Sequence, residues 1–306
     1  MMKHLLTTED LDRTTLEELL TDADEFYEVL HRPIPKVPAL RGKTVATMFF
    51  EPSTRTKMSF DKAAKALSAD TMAFSASTSS LSKGESLKDT ALTVRAMGVD
   101  LMVVRHGATG APWRLAEWLD IPIVNAGDGA HQHPTQALLD CLTIKQRFGS
   151  LDGLRIAIVG DIRHSRVARS DIFAMATLGA EVILVGPPTL LPLDTEGWPV
   201  KTTTDLDAVL DTVDVVYLLR VQLERGGGSV FPSLLEYTAR YGMTNERFAR
   251  LKDDAVVMHP GPMNRGVEIA HDVADDHRAL ILQQVTNGVA ARMSVLFRLL
   301  GGEHNE

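Results

Sequence analysis

The chain has 306 residues, 44% of them apolar, and a formal net charge of −8. That length predicts two domains, and that apolar share suffices for packed cores. The mixed-sign, net acidic composition argues against a nucleic-acid-binding face, and no apolar run approaches the roughly 18 residues of a membrane span.

The N-terminal stretch MMKHLLTTEDLDRTTLEELL is too acidic and too weakly apolar for a signal peptide. A single cysteine, Cys141, allows no intrachain disulfide, which fits a reducing, cytoplasmic setting. From there on, apolar bursts alternate with helical patterns. Strands are predicted over 44–50, 70–74, 100–104, 121–125, 155–160, 181–186, 214–219 and 255–259. Helices are predicted over 54–68, 86–97, 112–119, 134–148, 165–178, 205–211, 245–251 and 287–300. The strands are continuous apolar runs, as in parallel sheets covered on both faces. Gly149 ends helix 134–148, which places a boundary near residue 148. The expected architecture is α/β: two consecutive doubly wound domains with mostly parallel sheets, 1–147 and 148–285, and a C-terminal helix, 286–306, packing back on the first.

The first polar cluster is STRT, 53–56, between strand 44–50 and the next helix. Backbone N–H groups at a helix start are without intrahelical partners, and the helix dipole adds partial positive charge there. Hydroxyls and an arginine at that point suit an anion, phosphate above all. The alternative is a Ser or Thr helix cap beside an incidental Arg. Arg105-His106-Gly107 closes strand 100–104, where ligands of parallel sheets bind; an exposed loop arginine is the other reading. In HQHPTQ, 131–136, Pro134 suits the first helical turn. His133 and Gln136 can then project off the helix start and polarise a carbonyl. His131 and His133 could instead ligate a metal, although no ligand set follows at the usual spacing, or the segment could be a plain cap.

RIAIVGDIRHSRVARS, 155–170, has the outline of a dinucleotide-binding turn but lacks G-x-G-x-x-G, so NAD is not expected. Arg163, Arg166 and Arg169 crowd a helix start, where the dipole disfavours cations. An anionic ligand would compensate, as would pairing with Asp161 or Asp171. Arg220 and Gln222 end strand 214–219 two residues apart, on one side if the strand continues. HPGPMNRG, 259–266, follows the last strand, and its Gly261-Pro262 bond is a candidate cis peptide with outward-facing carbonyls. Cys141 reads as core filler.

Taken together, STRT, the Lys-Gly-Glu of loop 75–85, Arg-His at a strand end, His-Pro-x-Gln, Arg-x-Gln and His-Pro-x-Pro closely resemble the carbamoyltransferase family, on its aspartate-specific branch, over nearly the whole chain. The ornithine branch carries His-Cys-Leu-Pro where this chain has His259-Pro260-Gly261-Pro262, and it lacks the Arg-x-Gln of Arg220 and Gln222. A cationic Arg suits a dicarboxylate and opposes ornithine's ammonium. The resemblance implies transfer of a carbamoyl group from carbamoyl phosphate to L-aspartate, in de novo pyrimidine synthesis, with no metal and no cofactor. It implies a carbamoyl-phosphate-binding first domain and an aspartate-binding second domain. Ser53, Thr54, Arg55 and Thr56 would hold the phosphate, and Arg105, His133, Gln136 and Thr56 the carbamoyl group. Arg55, Thr56, Arg105 and His133 would be the catalytic set. The Pro260-Gly261-Pro262 segment would receive the carbamoyl NH2 through the Pro260 and Gly261 carbonyls. Arg166, Arg220 and Gln222 would bind the aspartate carboxylates. Lys83, with Ser79 or Ser80, would reach in from a neighbouring subunit of a homotrimer. A regulatory chain or other chains of the pathway stay open as partners; nucleic acid and membrane are not expected.

Overall fold

The computed structural model describes residues 2–75, 84–221 and 233–301. The chain divides into two units, Met1–Leu142 with Thr286–Glu306, and Thr143–Val285.

The first unit opens with α1 (Arg13–Leu30), then β1 (Thr44–Phe49), α2 (Thr54–Ala66), β2 (Asp70–Ser75), α3 (Leu87–Ala96), β3 (Leu101–His106), α4 (Ala111–Trp118) and β4 (Ile123–Asp128). Helix α5 (Pro134–Phe148) leads out of it. Its strands run in the order β2-β1-β3-β4, all parallel. Every residue of β1 after Thr44 is buried, as expected of a strand covered on both faces. On one face Ala46, Met48, Met102, Val104 and Ile123 pack with Ala91 and Val94 of α3 and Leu115 of α4. Each such aliphatic side chain withdrawn from water contributes about 1.5–3 kcal/mol before entropy is counted.

The second unit contains β5 (Arg155–Val159), α6 (Arg166–Thr177), β6 (Glu181–Val185), β7 (Val200–Thr203), β8 (Val215–Leu218), α7 (Leu234–Tyr241), α8 (Asn245–Arg250), β9 (Val256–Met258) and α9 (His271–Ala274). Its parallel strands run β7-β6-β5-β8-β9. Both units are therefore doubly wound. Strand order reverses between β1 and β3 in the first and between β5 and β8 in the second, and ligands of such sheets bind where the order reverses, past the carboxyl ends of the strands.

Helix α10 (Ile281–Leu300) is the last described helix and returns to the first unit. There Ser294 Oγ donates to the Leu19 carbonyl (2.8 Å), Arg298 binds Glu18 (2.6 Å) and Asp22, and Phe297 meets Phe26 edge-on at 5.6 Å.

Several elements depart from the sequence expectation. Helix 205–211 is a series of turns. Leu206 and Leu210 are buried, so the apolar spacing marks core contacts without a helix. Helix α1 was not predicted, although Leu16, Leu19, Leu20 and Ala23 make a buried stripe at helical spacing. Strand β7 is short and only half-buried at its ends, an edge strand without an apolar run. The apolar ALILQQV, 279–285, is not separate from the last helix, which starts at Ile281 rather than 287.

Candidate active site

In the first unit, the STRT motif forms the entry to α2. Ser53 is the N-cap residue, with φ −160° and ψ 94°, yet its side chain makes no capping hydrogen bond, and the first turn holds no acidic residue. No side chain caps this helix start, as would be needed where a helix start receives an external anion. Thr54 and Arg55 are exposed and Thr56 is buried.

Arg105 pairs in register with Phe49, at the strand end that feeds this turn. The β3–β4 register shifts here, from Val104↔Asn125 to His106↔Asp128. Such a bulge re-aims local groups. The Ala126 carbonyl accepts from Arg105 Nη1 at 3.2 Å, and Glu51 Oε2 lies 3.7 Å from Arg105 Nε. A side chain only 14% exposed is held between a carboxylate and a carbonyl.

His133 and Gln136 are set by the β4–α5 loop. Asp128, fully buried, accepts from Asn125 Nδ2 (2.9 Å), Gln132 N–H (3.0 Å), Gly110 N–H (2.8 Å) and His131 Nδ1 (3.2 Å). These bonds fix residues 128–132 and so deliver His133, buried, just ahead of Pro134. His131 serves Asp128, and among the described residues no cluster of three or more His, Cys, Asp or Glu side chains is arranged to hold a metal ion. Gln136 Nε2 donates to Asp140, 3.2 and 3.1 Å from its two oxygens, leaving the amide oxygen as an acceptor. Cys141 is fully buried.

Burial works against the charged form of Asp128, but hydrogen bonds from His131, Asn125 and the Gly110 N–H outweigh it and hold the carboxyl below its usual range. Its stabilising contribution is therefore present above the unfolded-state value of about 3.9 and is lost as pH falls through the lower folded value. The Tm advantage of the wild-type chain over Asp128→Asn should be full at neutral pH and shrink on acidification below about pH 4. Thermal unfolding across pH checks this; an advantage that ignores pH would show that the charge contributes nothing.

In the second unit, Gly160 follows β5 with φ +127°, and a Cβ there would lie 2.9 Å from Tyr237 Oη and 3.1 Å from the Leu219 carbonyl, so only glycine fits. Asp161 then accepts from the His164 N–H (3.3 Å) and His164 Nδ1 (2.8 Å), shaping the turn into α6. Ser165 caps the helix through the Ala168 N–H at 3.1 Å. The three arginines part here. Arg163 is exposed, Arg169 lies 4.9 Å over the Trp198 ring, and Arg166 is buried in the first turn.

Arg220 lies just past β8, half-buried. The strand stops at Leu218, so alternation along a strand does not set its direction relative to Gln222. Gln222, Lys83, Ser79 and Ser80 lie outside the described residues.

The segment after β9 is built on a pair that the sequence reading missed. His259 Nδ1 accepts from the Gly261 N–H (2.8 Å), so the proton sits on Nε2, which donates to Glu268 Oε1 at 3.2 Å. Glu268 also accepts from the Asn264 N–H. Both side chains are fully buried. They fix the two ends of the Pro260-Gly261-Pro262 turn, whose Gly261-Pro262 bond is cis.

Each cluster thus sits past the carboxyl ends of its sheet, around the strands where the order reverses. Glu51, Asp128 and Glu268 were not anticipated, and His259 was read only as part of its motif. The only sequence signal for them was adjacency to the motifs they support.

Comparisons with known proteins identify the family. The family model of the aspartate/ornithine carbamoyltransferase carbamoyl-P binding domain matches residues 3–146, and that of the Asp/Orn binding domain matches 152–299. The aspartate carbamoyltransferase catalytic subunit of Nocardioides sp. is 60% identical over 99% of this chain and 95% of its own length. That of Thermobifida fusca is 57% identical over 98% and 96%. Among solved structures, aspartate transcarbamoylase from Trypanosoma cruzi in complex with carbamoyl phosphate and aspartate superposes with a TM-score of 0.89 at 32% identity, covering 97% of each chain. The catalytic subunit of M. jannaschii aspartate transcarbamoylase gives 0.86 at 36% identity over 100% of both. This chain belongs to the aspartate/ornithine carbamoyltransferase family.

Proposed function

We propose that the chain transfers the carbamoyl group of carbamoyl phosphate to the amine of L-aspartate, giving N-carbamoyl-L-aspartate and phosphate, in de novo pyrimidine synthesis. The observation that carries this reading is the α2 start, left without a side-chain cap or an acidic residue and placed next to Arg105 at the strand reversal. A phosphate is the anion that such a helix start accommodates best. Full-length identity of 60% to an aspartate carbamoyltransferase catalytic subunit supports aspartate as the acceptor.

The residues then take these roles. Ser53, Thr54, Arg55 and Thr56 hold the phosphoryl group of carbamoyl phosphate. Arg105, His133 and Thr56 donate to the carbamoyl oxygen, where negative charge builds as the amine attacks. The Gln136 oxygen and the carbonyls of Pro260 and Gly261 receive the carbamoyl NH2, with Pro262 completing the turn. Arg166, Arg220 and Gln222 bind the two aspartate carboxylates. The neutral amine forms the new C–N bond, the C–O bond to phosphate breaks, and the departing phosphate takes the amine's proton. No group of the protein becomes covalently attached; positioning and preorganised donors supply the rate. The carbamoyl-phosphate-binding role of the first unit, the aspartate-binding role of the second, a cytoplasmic setting and a homotrimer with Lys83 donated by a neighbour complete the reading. Among the described residues no helix is long and apolar enough to cross a membrane.

The test is a carbamoyl-transfer assay with aspartate, ornithine and N-acetylornithine as acceptors. Turnover with aspartate alone is expected; turnover with either of the others instead moves the specificity elsewhere in the family.

Arg55→Ala should lower kcat/KM for carbamoyl phosphate by roughly tenfold to a hundredfold, the worth of one charge-assisted contact of about 1.5–3 kcal/mol. Because Arg55 is exposed, Tm should barely move. Unaltered kinetics in this variant would reduce STRT to the opening of a helix.

A further inference from the structure

Two buried charged residues beneath the first-unit site have no part in the reaction as described. Asp140 is wholly inaccessible and lies one helical turn after Gln136 on α5. Arg292, 3% exposed, comes from α10 and reaches the first unit only because that helix returns to it. Its Nη1 donates to Ser59 Oγ of α2 (2.9 Å) and to the Gly288 carbonyl (2.8 Å), and its guanidinium lies 5.1 Å over the Phe60 ring. Gly288 makes room: a Cβ there would stand 2.6 Å from Arg292 Nη1 and 3.2 Å from Leu139 Cδ2.

We propose that Asp140 is a positioning residue that locks the Gln136 amide with its oxygen facing the substrate. The site thereby accepts the NH2 of a carbamoyl group and disfavours a carboxylate in its place. This rests on the reading of carbamoyl phosphate as the ligand.

The reasoning is one of donor and acceptor balance. An ionised carboxylate only accepts, so the group that Gln136 turns toward Asp140 must be its NH2, as the distances of 3.2 and 3.1 Å show. Flipping the amide would set oxygen against two carboxylate oxygens in a buried site, where repulsion is weakly screened. The lock holds only while Asp140 is charged, and a buried carboxylate without a cation nearby takes up a proton instead. Arg292, a buried cation of the same unit, supports that charge. Burial pushes its pKa down to about 10, while the Asp140 carboxylate favours its charged form, so it stays protonated at neutral pH. Arg292 belongs to α10, which gives the returning helix a role in substrate choice.

The experiment uses the full chain and three inert probes: phosphonoacetamide, phosphonoacetate and inorganic phosphate. The first two differ in presenting an amide NH2 or a carboxylate oxygen at the same position. The wild-type protein should prefer phosphonoacetamide by calorimetry. In Asp140→Asn the side chain can now donate, Gln136 can turn over, and that preference should fall about tenfold or more, the worth of a reversed buried hydrogen bond. Inorganic phosphate affinity should be unaltered. A preference that survives the substitution overturns the proposal. So does a parallel loss for all three probes, which would indicate a structural role only. Arg292→Lys should keep the preference and Arg292→Met should lose it; this pair decides the matter if Asp140→Asn does not fold. A wild-type protein with no preference for phosphonoacetamide would remove the carbamoyl phosphate reading itself, and the proposal with it, before any variant is made.

Discussion

Arg105→Ala should cut kcat by about a hundredfold to a thousandfold, the usual cost of removing one preorganised donor from a developing oxyanion. The side chain is held in advance of substrate by the Ala126 carbonyl at 3.2 Å and by Glu51 at 3.7 Å. Little of its donating power is therefore spent on reorganisation during the reaction. Arg105→Lys should recover only a small part of the rate, since a single ammonium cannot serve Glu51, the carbonyl and the substrate from one planar fork. The loss should fall on kcat and kcat/KM together, because the contact strengthens in the transition state. Steady-state kinetics with Tm measured alongside would check it. A kcat within a few fold of wild type in a folded Arg105→Ala protein would take the catalytic assignment away from this residue.

The motifs that touch substrate in this reading were legible because each is contiguous. STRT, RH, HPTQ and HPGP follow apolar runs that can only be buried strands, and a parallel sheet places whatever follows a strand at one edge. The supports of these motifs were not legible, for a physical reason: their partners meet only through the fold. Ser59 and Arg292 are separated by 233 residues, and nothing local in ARMSVLF marks a buried cation. Asp140 is a partial exception, since a residue four places after Gln136 on a helix lies on the same face. His259 and Glu268 lie nine apart in an irregular turn, where no periodicity predicts contact. Errors in secondary structure have a similar origin. DLDAVLD, 205–211, carries Leu206, Val209 and Leu210 at helical spacing, yet the buried Leu206 and Leu210 are positioned by turns. Strand β7, VKTT, is an edge strand that needs only one neighbour, β6, and so carries no apolar run.

Complementation between two inactive chains should restore about a quarter of wild-type activity if Lys83 serves a neighbour's site within a closed threefold ring. One chain carries Lys83→Gln, the other Arg105→Ala, and each should be nearly inactive alone. Going once round any mixed ring, one interface and only one sets a chain with intact Arg105 against a following chain with intact Lys83. Each mixed trimer therefore regains about one of its three sites, and equal random mixing makes about three quarters of the trimers mixed. The product is about one quarter. The chains must be co-expressed or refolded together so that subunits exchange, and differently tagged chains allow the mixed species to be isolated before assay. Purified mixed trimers should then run at about one third of the wild-type rate with an unchanged KM for aspartate, because the rebuilt site contains every native group. If isolated mixed trimers are as inactive as their parents, Lys83 acts within its own chain or not at all, and the shared-site assembly fails. If the protein does not form a ring, no mixing ratio will restore activity, and the size of the wild-type particle will show that directly.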